Sequence, residues 1–167
     1  MIRLERLSAD HAAALLAFER ANRAHFARSV PDRGDAYFAE FADRHRALLA
    51  EQRAGTCHFH VVLDPYGDLV GRVNLVDVHD GSAELGYRIA EHATGRGHAT
   101  AAVEQVCRLA AGEYRLTELT ASADRANPAS AAVLRRTGFT LLGESELDGR
   151  PVLHFRRPLA DLRPNGS

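Results

Sequence analysis

At 167 residues, 46% hydrophobic and 26% charged, the chain can bury the core of one domain without staples. A formal net charge of -1 provides no global positive field for nucleic acid or an anionic membrane, and neither is expected as a partner. Cys57 and Cys107 match no metal or redox spacing and no stretch reaches the roughly 18 apolar residues of a membrane span, so a disulfide scaffold and a transmembrane protein are excluded and a cytoplasmic location is expected.

In chain order, Ile2–Arg6 alternates apolar and charged residues and predicts a short strand. Ser8 offers an N-cap, and Ala12, Leu15, Leu16 and Phe18 continue as a helix until Pro31 and Gly34 break the chain. A second helix carries Phe38, Phe41, His45 and Leu48/Leu49 on one face and ends at Gly55. From Cys57 the period becomes strand-like: Phe59, Val61 and Leu63 lead into the turn 64–68, and Leu69–Val78 returns as a hairpin. Ala83–Ile89 is a third strand, joined through Asp80-Gly81. Ala99–Ala111 is a helix with Ala102, Val103, Val106, Leu109 and Ala110 facing inward, ended by Gly112. Leu116–Ala121 is a strand, Pro128–Thr137 a helix stopped at Gly138, and Phe139–Leu142 with Val152–Phe155 a final hairpin around Asp148-Gly149. This order predicts one α/β domain over residues 1–167, a mixed sheet with helices on its faces, and a frayed tail over 163–167.

The turn after the third strand carries the first chemistry. Thr94-Gly95-Arg96-Gly97-His98-Ala99-Thr100 opens a helix, where backbone N–H groups without intrahelical partners and the helix dipole favour an anion. Gly97 lets the backbone approach a phosphate closely. A tight strand-to-helix connection explains the same glycines equally well. A P-loop is excluded because the chain contains no Lys, and the dinucleotide fingerprint fails because Thr100 stands where its third glycine belongs.

A second segment, Asn127-Pro128-Ala129-Ser130 with Val133-Leu134 and Gly138-Phe139, has a complete local explanation as a capped helix. Taken together, the two segments resemble the GNAT superfamily of N-acetyltransferases. Thr94–Ala99 resembles its acetyl-CoA motif [Q/R]-x-x-G-x-[G/A], departing from it at Thr94. N-x-x-S-x-x-V-L-x-x-x-G-F and the phrase Glu84-Leu85-Gly86-Tyr87 resemble the RimJ/RimL-like branch. The resemblance covers about Val70 to Phe155 and implies the GNAT fold, a single, mostly antiparallel mixed sheet flanked by helices.

It further implies an N-acetyltransferase that moves acetyl from acetyl-CoA to a primary amine, a protein N-terminus or a small molecule, directly within a ternary complex and without a metal. The backbone of Tyr87, Arg88 and Ile89 would hold the pantetheine arm as an added strand. The turn and helix start formed by Thr94, Gly95, Arg96, Gly97, His98, Ala99 and Thr100 would hold the pyrophosphate, and Asn127 and Ser130 would meet the arm and its sulfur. Many relatives place a Tyr acid where this chain has Leu134, so Ser130 becomes the expected acid, and Glu84 the first candidate for a base acting through water. Glu84 reads equally well as an exposed strand-end carboxylate. Glu146 and Asp148 are alternative bases, although Asp148 also suits the turn before Gly149.

Asn74 fits either an acceptor site or a solvated position. His58 and His60 share a strand face, as metal ligands can, but have no third ligand and read as packing or surface residues. Cys107 reads as core. Arg135-Arg136 reads as a solvated face that could also approach cofactor phosphates. Family habit leaves a homodimer open. The absent Tyr and the Thr94 departure leave room for a second reading, a GNAT-fold module that senses acyl-CoA without turnover.

Overall fold

The computed structural model describes residues 1–163; of the frayed tail expected over 163–167, residues 164–167 lie outside the described residues. Seven strands form one open sheet in the order β1-β2-β3-β4-β5-β7-β6. They are β1 (Arg3–Arg6), β2 (His58–Leu63), β3 (Leu69–His79), β4 (Ser82–Ile89), β5 (Glu118–Asp124), β6 (Thr140–Leu147) and β7 (Arg150–Pro158). The helices are α1 (Ala12–Ala21), α2 (Arg23–Ala27), α3 (Asp35–Ala39), α4 (Phe41–Ala54), α5 (His98–Gly112) and α6 (Pro128–Arg136). All neighbouring strands pair antiparallel except β4 and β5, whose parallel crossover is supplied by α5 between them.

The expected elements are present, with informative differences at their ends. Each of the two expected N-terminal helices is divided in two, at Asn22 and at Glu40, both of which leave helical geometry. Asn22 is drawn out by its own side chain, which donates to Phe18 O and accepts from Glu91 N. α5 ends at Gly112 as expected, but not by a left-handed glycine: Gly112 is its last helical residue and Glu113 caps it at φ -82° and ψ -44°. The final hairpin extends well beyond the apolar runs that predicted it, because β6 pairs along its length with β7 while every one of its residues is exposed. Hydrophobic patterning could not report a strand with no buried face. Asp148 and Gly149 both have positive φ, 52° and 78°, as a two-residue hairpin turn requires, so Asp148 serves the turn.

The core fills both faces of the sheet. On one side α5 inserts Ala102, Val103, Val106 and Ala110 against Leu75, Leu85 and Leu119, all nearly inaccessible. On the other, α1 crosses β3 and buries Glu19 beside Leu15 and Phe18. Glu19 accepts from three guanidiniums at 3.2–3.3 Å: Arg33, Arg72 on β3 and Arg88 on β4. That cluster fixes α1, the chain after α2, and the two central strands relative to one another. His58 and His60 do not form a metal pair: His58 stacks on Tyr114 at 3.7 Å, and His60 Nδ1 donates to Val73 O while its Nε2 accepts from the Tyr114 hydroxyl. Cys57 and Cys107 are buried free thiols.

Two outcomes are expected. Glu19→Ala leaves three guanidiniums without their carboxylate and lowers unfolding free energy by roughly 3 kcal/mol in urea titrations, whereas substitutions at exposed β6 positions stay within about 0.5 kcal/mol. Burial holds the His60 imidazole down to about 4, against about 6.5 when unfolded, so the unfolded chain takes up the proton first. The His60 contribution is complete above pH 6.5 and is lost as pH falls from there toward 4. The urea midpoint of His60→Gln changes less than that of the wild type across this interval.

Candidate active site

Strands β4 and β5 share only four register pairs, from Ser82↔Glu118 to Leu85↔Ala121. Beyond them β4 stays with β3 out to Ile89↔Gly71, while β5 stays with β7 out to Asp124↔Val152. The two strands therefore part after Leu85 and Ala121, and the backbone N–H and C=O groups of 86–89 and 122–124 that face the gap have no strand opposite. A sheet interior seldom leaves such groups free unless a guest completes them. The gap opens into a cleft of about 780 Å³, the size of a small-molecule or cofactor site.

Its lining contains Glu84, Tyr87, Arg88, Ile89, Thr94, Gly95, Gly97, His98, Ala99, Thr100, Asn127 and Ser130. Of the cofactor-binding residues the sequence nominated, Arg96 alone is not part of this wall; its side chain is exposed to solvent. Glu146 and Asp148 are also absent from it, on the outer hairpin. Asn74 stands opposite Gly86 in the β3–β4 register but is not part of the wall, and its Oδ1 is buried without a partner.

The foot of the cleft is built by backbone. Gly97 takes a left-handed conformation, φ 77°, as N-cap of α5, and Gly95 does likewise at 76°. A Cβ on either would meet no atom within 4 Å, so their requirement is conformational, and the space above them is open. Gly97 O accepts from Ala101 N, which leaves the amides of His98, Ala99 and Thr100 free of helix bonds and uncapped by any side chain. Three convergent N–H groups at the positive end of a helix 15 residues long suit a di-anionic phosphate group. Gly86 lies on the wall itself in extended geometry, and nothing stands within 4 Å of its ideal Cβ. A side chain there would occupy the cleft. Gly71 differs, since a Cβ would strike Arg88 O and Ile89 Cδ1 at 2.7 Å; that glycine serves strand packing.

At the back of the gap, α6 starts at Pro128 and lies against β5. Asn127 Oδ1 accepts from Ser130 N at 3.3 Å, which places Ser130 in the first turn with its hydroxyl toward β4. The Tyr87 hydroxyl meets Ser130 Oγ at 3.2 Å. Burial pushes the Tyr87 phenol above its usual range, so it remains protonated across ordinary working pH. Sequence spacing concealed this pair, because Tyr87 was nominated only for its backbone and the two residues lie 43 positions apart.

At the front, Glu84 is exposed on the cleft wall and makes no side-chain hydrogen bond or ion pair among the described residues. Asp124, the other carboxylate of the wall, is engaged by Ala126 N and Arg150. The helix α2 and the residues after it close the front with His25, Phe26, Ser29 and Val30, and Arg136 of α6 lines the opposite side. The α2 residues had no sequence motif; they are brought in by packing alone. Arg135, unlike its neighbour Arg136, turns its guanidinium over the Phe155 ring. Among the described residues no group of three or more His, Cys, Asp or Glu is placed to hold a metal ion, and no helix is long and apolar enough to cross a membrane.

Comparisons with known proteins agree with this geometry. The profile of the acetyltransferase (GNAT) domain matches residues 2–140. No curated protein sequence matches. Among solved structures, RimJ of Mycobacterium smegmatis in complex with CoA-disulfide is similar at 26% identity, covering 99% of this chain and 85% of that one with a TM-score of 0.86. The ribosomal-protein-S5-alanine acetyltransferase of Vibrio fischeri is similar at 20% identity, over 98% and 96% of the two chains, with a TM-score of 0.88. A point mutant of the spermidine N-acetyltransferase SpeG from Vibrio cholerae shares the fold at 16% identity and a TM-score of 0.77, over 96% of each chain. The family match over most of the chain, on a sheet that parts where a cofactor arm would insert, establishes that this protein belongs to the GNAT acetyltransferase family and is an acetyl-CoA-dependent N-acetyltransferase.

Proposed function

We propose that the protein acetylates the α-amine of a peptide N-terminus, with acetyl-CoA seated in the gap between β4 and β5. The observation that carries this reading is the parting of those strands above the free amides of His98, Ala99 and Thr100. The pantetheine arm pairs with the exposed edge of Tyr87–Ile89, the pyrophosphate takes the amides at the start of α5, and Asn127 holds the α6 end of the site. Arg136 lines the cleft at the far end of α6, within the region left for the remaining phosphate.

The chemistry needs a polarised thioester, a neutral amine and a proton for the departing thiolate. Amides of the β4 edge polarise the carbonyl. Ser130 donates to the sulfur, and the Tyr87 phenol donates to Ser130 in turn, so the pair does what neither an isolated serine nor Leu134 can. Glu84 meets the incoming ammonium and, through water, draws its proton away. The acceptor class follows from charge. One unpartnered carboxylate, Glu84, faces one α-ammonium, whereas a polyamine brings several cationic centres that a single carboxylate does not match. That RimJ and an S5-alanine acetyltransferase share this fold supports the same choice. A homodimer is compatible with the exposed β6 edge, and size-exclusion chromatography decides it.

Calorimetry with CoA and a thiol-release assay test this function. Wild type binds CoA at micromolar affinity or tighter, and release above background hydrolysis occurs with hexapeptides beginning with Ala or Ser but not with spermidine. Binding without release would instead mark a sensor, and absence of binding would sink both. Gly97→Glu abolishes CoA binding by placing a charge and a strained Cβ at the pyrophosphate. Gly86→Val weakens CoA binding at least tenfold, with a melting temperature close to wild type because the valine enters open space. Ser130→Ala and Tyr87→Phe each lower kcat tenfold or more with CoA affinity retained; the double variant is little worse than either single, as for groups acting in series.

A further inference from the structure

Ser122 is the first residue of β5 beyond its last pair with β4, so it stands across the gap from Gly86, the first unpaired residue of β4. Alternation along the strands puts Ser122 on the sheet face shared by Glu84 and Thr120, which pair with one another, and opposite to the face carrying Leu85 and Ala121. This is the front of the cleft, away from the Tyr87–Ser130 pair. Directly across the β5–β7 ladder from Ser122 stands His154. Its Nδ1 lies 3.1 Å from Ser122 Oγ, and its Nε2 lies 2.6 Å from Ser145 Oγ on β6. Both ring nitrogens of a half-buried imidazole are thus engaged, one hydroxyl leading into the cleft and the other outward to the exposed edge strand.

We propose that Ser122, His154 and Ser145 form a proton relay that takes the acceptor amine's proton out of the cleft, with Ser122 as the group that meets the amine and His154 as the positioning residue behind it. In the resting relay, the Ser122 hydroxyl donates to Nδ1 and Nε2–H donates to Ser145. The bound ammonium gives one proton to Ser122 Oγ as the Ser122 hydroxyl proton passes to Nδ1, and the neutral nitrogen then attacks the acetyl carbon. The imidazolium releases its Nε2 proton past Ser145 to solvent and regains its resting tautomer by exchange with water. The C–S bond breaks with the electron pair on sulfur, which is protonated from Ser130 on the other side of the gap; the second proton on nitrogen leaves to water, and Ser130 regains a proton from water in turn. No other reactant is required. Imidazole is the side chain that can accept and release a proton near neutrality, which Ser122 alone cannot do.

The charged groups around the relay are already paired or lie on the cleft side. On β7 and β5, Arg156 pairs with Glu118, two residues along the same face. Toward the other end of β5, Asp124 is held by Arg150. On β6, Glu144 pairs with Arg125 from the loop after β5. Glu84 on β4 remains as the unpaired carboxylate facing the gap. In this arrangement Glu84 holds the ammonium by charge, and the proton it draws out through water leaves by way of Ser122 and His154.

The proposal rests on the acetyl-transfer reading, and the test separates the two. The rate of thiol release with an alanyl hexapeptide is measured as kcat/KM from pH 6 to 9.5, for wild type, His154→Gln, Ser122→Ala and Ser145→Ala. Gln can hydrogen-bond both serines but cannot take up a proton. His154→Gln should lose at least tenfold at pH 7 with CoA affinity and melting temperature near wild type. The defect should shrink to within about twofold at pH 9.5, where an α-amine of pKa about 8 is already neutral. Its acid limb moves up to that of the amine. Ser122→Ala, an exposed position that cannot disturb folding through the core, should reproduce the same profile, and Ser145→Ala, which opens Nε2 to water, should lose less than threefold. If wild type releases thiol and both His154→Gln and Ser122→Ala stay within twofold of it at every pH, the relay is wrong and the acetyl-transfer reading stands. A uniform loss at all pH values, without the shift of the acid limb, equally overturns it. If wild type binds CoA but transfers to no amine, the acetyl-transfer reading falls and the relay with it.

Discussion

Everything functional in this molecule depends on one change of partnership. After Leu85 and Ala121, β4 keeps its hydrogen bonds with β3 and β5 keeps its bonds with β7, and neither can keep them with the other. Each strand remains half satisfied, so the separation costs little within the rigid halves of the sheet, yet it exposes two backbone edges in a protein interior. A flexible cofactor arm can supply the missing partners at small entropic cost to the protein, because the edge is already in place. The cleft is therefore a gap in a sheet. It is not a pocket carved by side chains, and a site made by backbone tolerates the sequence divergence of a fold shared at 16–26% identity.

The gap divides the candidate catalytic groups by sheet face. Tyr87 and Ser130 meet at the rear, where α6 leans on β5 and burial keeps the phenol protonated. Glu84 and Ser122 face the front, toward the loops after α2. In the proposed mechanism acid and base are thus separated by the thickness of the cofactor arm, and a proton arriving on one side need not cross it. Gly86 lies between Glu84 and the strand's outer end on the front face, and a side chain there would fill open cleft.

The Glu19 cluster supports this site from beneath. A carboxylate only 1% exposed holds Arg72 and Arg88 on adjacent strands and Arg33 from the segment after α2. A buried ion cluster of this kind adds less net stability than an apolar core would, but it tolerates few alternative arrangements. Its consequence is positional: the segment that closes the front of the cleft is tied to the strand proposed to hold the cofactor.

The sequence by itself determined the element order, the helix start at the glycine turn, the capped helix at Asn127 and the family. These rest on local physics: periodicity, cap chemistry and the conformational freedom of Gly95 and Gly97 are encoded within a few residues of where they act. The backbone groups at the start of α5 were legible for the same reason. Tertiary structure alone decided the rest. Tyr87 reaches Ser130 across 43 residues, His154 reaches Ser122 across 32, and Glu19 gathers arginines from 14 to 69 positions away. Histidines that shared a strand face proved to be packed on Tyr114, and Glu146, nominated as a base, stands on the outer hairpin away from the cleft wall. A side chain's neighbours across a sheet are set by register and by which strand ends a partnership, and neither leaves a mark on the spacing of residues along the chain.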